Sequence, residues 1–158
     1  MLTQTIIYDR FKLSVAPDRG GAVTGFTLDD RPILRTAKNP ATPRDCAAFP
    51  LIPFASRITN GRFDFQGRSI QLVPNFPPEP HAIHGNGWQV PWHVRSETKH
   101  SLTLCCDHDG RDWPWRFHAA QKFTLSADGL TLELRITNKD LMPMPAGLGW
   151  HPYFPKAR

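Results

Sequence analysis

Between Pro114 and Pro143 the chain contains no proline, and inside that window apolar residues recur at every second position. Leu130, Leu132, Leu134 and Ile136 alternate with Thr131, Glu133, Arg135 and Thr137, which is the period of a strand with one buried face. Upstream, Phe117, Ala119, Phe123 and Leu125 follow the same rhythm, and Ser126-Ala127-Asp128-Gly129 supplies turn residues that join the two segments as a hairpin. A ladder that uses each backbone N–H excludes proline, so the two patterns demand the same structure. Shorter alternations predict further strands at Phe11, Leu13 and Val15 and at Leu102, Leu104 and Cys106. Another hairpin is predicted from Phe63 and Phe65 through Gln66-Gly67 to Ile70 and Leu72. By contrast, Pro32 to Pro53 and Pro74 to Pro91 are rich in proline and are expected to be ordered loops or edges. No segment keeps the i, i+3, i+4, i+7 spacing of an amphipathic helix, so the expected class is all-β with few, short helices. The absence of a fixed internal repeat argues against a propeller or solenoid.

At 158 residues, 40% of them hydrophobic and 21% charged, the chain is long enough to bury a core without disulfides, and residues 1–158 read as one domain. The net charge of +5 is diffuse, with 10 basic and 7 acidic residues before position 80 and 9 and 7 after it. A nucleic-acid partner would call for a basic face or tail, so none is expected. Asp9, Arg10 and Lys12 interrupt any signal-peptide core, and no apolar run has membrane-spanning length. The protein is therefore expected to be soluble and cytoplasmic. Cys46, Cys105 and Cys106 lack metal spacing and read as reduced structural thiols.

Seven histidines invite individual reading, because imidazole titrates nearest neutrality. His81 and His84 stand in Pro80-His81-Ala82-Ile83-His84-Gly85-Asn86-Gly87-Trp88, where the H-x-x-H spacing off a helix does not set both rings toward one metal. Taken singly, each histidine reads as structural, but the glycine after His84 would let a ligand approach the backbone. His151 lies between Trp150 and Pro152-Tyr153-Phe154, and aromatic walls around an imidazole suit a sugar, whose C–H faces stack while its hydroxyls need polar partners. An aromatic core cluster is the alternative there, and Trp88, Trp92, Trp113 and Trp115 have core as their default reading. Arg57, bracketed by Pro53 and Gly61, can serve as a rigid donor to a hydroxyl or phosphate, or as half of a surface ion pair. Asp107-His108-Asp109-Gly110 reads as a hairpin loop.

Three segments, in order, carry a resemblance. Phe49-Pro50-Leu51-Ile52-Pro53-Phe54-Ala55-Ser56-Arg57-Ile58 through Gly61-Arg62-Phe63, then His81-Ala82-Ile83-His84-Gly85 with Gly87-Trp88, then Gly147-Leu148-Gly149-Trp150-His151-Pro152-Tyr153-Phe154 resemble the aldose 1-epimerase (galactose mutarotase) family. Trp113-Pro114 with its following hairpin, and Asn138 ahead of Met144-Pro145, resemble the same family's middle section. The resemblance implies an antiparallel β-sandwich of the galactose mutarotase-like supersandwich type, of which this chain would be the N-terminal portion. It also implies reversible ring opening at the anomeric carbon of a hexose, with no metal and no organic cofactor. By motif position His151 would be the general acid that protonates the ring oxygen, with His84 and Arg57 hydrogen-bonded to the substrate and Trp88 or Trp150 offering a stacking surface. The family pattern has Asn where Ser56 precedes the motif arginine, so that substrate contact is expected to weaken. The pattern also places a glutamate base and a substrate-binding aspartate in its distal part, and this chain is expected to lack both. For Glu79 to replace the base would require an unrelated geometry. The expected partner is a hexose or hexose phosphate, and sheet edges left unpaired would favour self-association. The alternatives are a non-catalytic sugar-binding domain and a hexose-6-phosphate 1-epimerase relative.

Overall fold

A computed structural model describes residues 2–156, and Ala157 and Arg158 of the aromatic C-terminal segment lie outside the described residues. The first strands are β1 (Gln4–Tyr8), β2 (Phe11–Ala16), β3 (Ala22–Leu28), β4 (Arg31–Pro32) and β5 (Ala48–Leu51). They are followed by β6 (Arg57–Ile58), β7 (Arg62–Phe65), β8 (Arg68–Gln71), β9 (Ala82–Ile83) and β10 (His93–Glu97). Last come β11 (Ser101–Asp109), β12 (Arg116–Ser126), β13 (Gly129–Asn138) and β14 (Gly149–Pro152). Among the described residues the only helical elements are two 3-10 turns, at Pro43–Asp45 and Thr59–Gly61, and no helix is long and apolar enough to cross a membrane.

The larger sheet runs β1-β2-β3-β5-β14 with β4 added to β3, and the second is the meander β10-β11-β12-β13. Every strand pair within them is antiparallel. Leu13, Val15 and Val23 from one sheet and Leu102, Leu104, Phe117 and Phe123 from the other are almost fully buried in a single cluster. The two sheets thus close on one core as an all-β sandwich. Inward residues of β12 alternate strictly with its outer ones, as the sequence predicts. The predicted hairpin turns also form, with Gln66 and Gly67 both at positive φ between β7 and β8. Trp88, Trp92, Trp113 and Trp115 are each 3% exposed.

Two local expectations are corrected. Asp107, His108 and Asp109 do not form a loop; they extend β11, opposite His118, Phe117 and Arg116 of β12, and the turn begins at Gly110. Turn propensity yields here to a long ladder that pairs the Asp107 carboxylate with His118 Nδ1 at 2.8 Å. The stretch Pro32 to Pro53 is not all loop or edge either, because it contains β5, a central strand between β3 and β14. Pro50 fits there because β3 pairs with β5 only at Ala48, leaving the proline with β14 alone as a ladder neighbour.

Candidate active site

The two-residue ladder of β6 and β9 pairs Arg57 with Ile83 and Ile58 with Ala82, and it places Ser56 and His84 side by side where it ends. Both residues are in the left-handed region, at φ 65° and 60°. They hold one another there: His84 N–H donates to the Ser56 carbonyl at 2.9 Å, and Ser56 N–H donates to His84 Nδ1 at 3.0 Å. Because Nδ1 accepts a hydrogen bond, the neutral His84 ring carries its proton on Nε2. Burial, followed by the positive fields of His151, Arg57 and Arg44, pushes the His84 pKa down to about 4, so this imidazole is neutral near pH 7.

His151 arrives from the opposite end of the chain. It lies on β14 opposite Phe49 of β5, and its ring stacks on Phe49 with centroids 4.9 Å apart and an interplanar angle of 16°. Tyr153 covers it from another side, with centroids 4.7 Å apart. The His84 and His151 rings meet edge to face, with centroids 5.7 Å apart. His151 Nδ1 is buried without a partner among the described residues, so Nε2 is the nitrogen left to act in the cavity. That cavity, about 230 Å³, is lined by Arg57, Glu79, His84, Trp88, His151 and Tyr153 among others. A wider recess of about 670 Å³ shares Trp88 and Tyr153 with it, and together the two reach the volume of a small-molecule site.

Four of the sequence-predicted residues, Arg57, His84, His151 and Trp88, therefore converge on one cavity. Trp88 forms part of its wall as a buried ring, with Nε1–H bonded to the Gly85 carbonyl at 2.9 Å. Ser56 contributes its backbone N–H to His84, and its side chain is not among the cavity-lining groups. Trp150 neighbours His151 on β14 and so faces the other side of the sheet, where it packs against the main core. The glycine after His84 has a different purpose from the one expected. A Cβ at Gly85 would lie 2.0 Å from the Ile52 carbonyl oxygen, so the missing side chain lets two backbone segments pack together rather than admitting a ligand.

Position in sequence does not reveal Glu79 as a wall residue; its Oε2 lies 3.2 Å from Arg57 Nη2. His81 Nδ1 accepts from the Asn60 N–H at 3.1 Å, and among the described residues no group of three or more His, Cys, Asp or Glu side chains is gathered where it could hold a metal ion. Burial raises the Cys46 thiol to about 11 and the Cys106 thiol to about 12, which leaves both protonated and unreactive near neutrality.

The family profile described as aldose 1-epimerase matches residues 6–157. The Escherichia coli K12 protein YphB, itself described as uncharacterized, is 41% identical over 155 residues, which is 98% of this chain and 52% of YphB. A crystal structure from E. coli K12, provisionally described as an aldose 1-epimerase, superposes with a TM-score of 0.92 at 40% identity, covering 99% of this chain and 53% of that one. A galactose mutarotase/aldose epimerase homologue from Caenorhabditis elegans shares the fold, with a TM-score of 0.82 at 19% identity over 98% of this chain and 51% of its own. The chain thus spans about half the length of these relatives.

Proposed function

The chain belongs to the aldose 1-epimerase family, and from that premise we propose that its cavity serves to interconvert the α and β anomers of a hexose, as the N-terminal portion of the family's fold. The observation that carries this reading is the meeting of a neutral imidazole, a second imidazole and a guanidinium in one cavity of sugar-compatible aromatic character. Ring opening breaks the bond between the anomeric carbon and the ring oxygen, as the ring oxygen gains a proton and the anomeric hydroxyl loses one. The open aldehyde then turns about its C1–C2 bond and closes on either face. His151 Nε2 is the group assigned to protonate the ring oxygen and recover that proton on closure. His84 Nε2–H and the Arg57 guanidinium are assigned as donors to sugar oxygens, roles that the neutral Nε2–H tautomer of His84 and the permanently charged fork of Arg57 can fill.

The base takes the anomeric proton. Glu79 is the carboxylate of this cavity wall but is engaged by Arg57, whereas the family resemblance assigns the base to a different glutamate, in the distal part of the fold. Anomeric equilibration of fresh α-galactose and α-glucose, followed by polarimetry, tests the reading. Acceleration over buffer that disappears in His151→Ala is expected where the distal part of the fold supplies that glutamate. Equal acceleration by the variant would remove His151 from the mechanism, and bound sugar without acceleration would favour a non-catalytic binding domain.

A further inference from the structure

Glu79 has no part in the chemistry assigned above, yet its surroundings hold it firmly. It lies between Pro78 and Pro80, and its N–H donates to the Phe76 carbonyl at 2.9 Å, so its backbone has little freedom. Its carboxylate faces two groups. Oε2 accepts from Arg57 Nη2 at 3.2 Å, and Oε1 lies 4.0 Å from His81 Nε2. Because His81 Nδ1 accepts from the Asn60 N–H, the neutral His81 ring bears its proton on Nε2, on the side of Glu79. The Arg57 side chain is the most exposed of the three, 51% against 23% for Glu79 and 28% for His81, and it has the most freedom to lose.

On the mutarotase reading, we propose that Glu79, backed by His81, is a positioning residue that aims the Arg57 guanidinium at the hexose. One nitrogen of the fork is held by the carboxylate, while its other N–H groups remain available to sugar hydroxyls. The ion pair itself is too exposed to add much stability, so its effect belongs to ligand binding and not to folding.

A double-mutant cycle over Glu79→Ala and Arg57→Ala separates this role from a general structural one. For α-galactose turned over with the distal part of the fold present, Glu79→Ala is expected to raise KM about five-fold, the effect of one net hydrogen bond, with kcat within about two-fold. Glu79→Gln, which keeps a neutral acceptor, should recover part of the loss. In the Arg57→Ala background, Glu79→Ala should change nothing further; a full five-fold effect there, or no effect in the wild-type background, overturns the proposal. In parallel, the order of the Arg57 Nε–H group measured by 15N NMR relaxation should fall in Glu79→Ala, and an unchanged order parameter overturns the brace. If the wild-type chain joined by the distal part of the fold does not accelerate mutarotation, the functional reading fails, while the relaxation result still decides whether Glu79 holds Arg57.

Discussion

Ser56 and His84 each adopt a left-handed backbone conformation, uncommon outside glycine and best tolerated otherwise by asparagine, aspartate and histidine, and each supplies a hydrogen bond that keeps the other there. The asparagine of the family pattern at position 56 therefore has a backbone reason to be favoured, in addition to any contact with sugar. His84 also links the site to stability. Its pKa of about 4 in the folded chain lies below the ordinary value near 6.5, so between those pH values the unfolded chain binds a proton that the folded chain does not. This group's contribution is complete above about pH 6.5 and is lost as pH falls through 4. Urea unfolding at pH 7.5 and 4.5 should show a loss on the order of 2 kcal/mol that His84→Asn reduces; an identical pH dependence in the variant would show that His84 is not its source. Legibility at this scale was uneven. His151, His84, Arg57 and Trp88 could be read from motifs, but Glu79 could not, because its partnership with Arg57 depends on a fold that brings residues 57 and 79 together.

Strands with one wet face announce themselves. In β12 the inward residues alternate with exposed or half-buried ones, and in β13 Leu132, Leu134 and Ile136 alternate with exposed neighbours. The period was therefore visible in the sequence. β3 and β5 carry no such signal, because Ala22, Val23 and Thr24 are buried in succession and all four residues of β5 are buried. β10 was unreadable for the opposite reason, being exposed at every position. One residue in β12 stands out. Gln121 is fully buried among Phe117, Ala119, Phe123 and Leu125, and its Nε2 donates to the Gly21 carbonyl at 2.9 Å, pinning the β2–β3 connection to the opposite sheet. Gly21, at φ 61°, holds a backbone conformation that strains any other side chain, and a Cβ there would sit 2.1 Å from the same amide and displace it. Gln121→Ala opens a cavity and orphans that carbonyl, and it should cost about 2 to 4 kcal/mol in chemical denaturation. An unmoved midpoint would mean that the bridge contributes nothing.

Across the whole molecule the two sheets share one core, but their borders differ. Among the described residues β13 pairs only with β12, leaving a ten-residue strand with one open side. Leu132, Leu134 and Ile136 are only half-buried along it, and Leu141 and Met142 just beyond it are exposed. An edge of this length and character is a template for pairing with another chain. Sedimentation velocity should show larger species growing with protein concentration, and Leu134→Lys should suppress them; a single concentration-independent monomer would rule out association through this edge.

The pairing of β5 with β14 joins Ala48–Leu51 to Gly149–Pro152, segments about 100 residues apart along the chain, and loop closure over such a distance is slow. During synthesis, Arg57 and His84 leave the ribosome long before His151 exists, and Phe49 waits for the ring that will stack on it. The cavity is thus timed as well as shaped: a nascent chain carries Arg57 and His84 before it carries His151, so the wall around them is complete only when the β14 strand has closed.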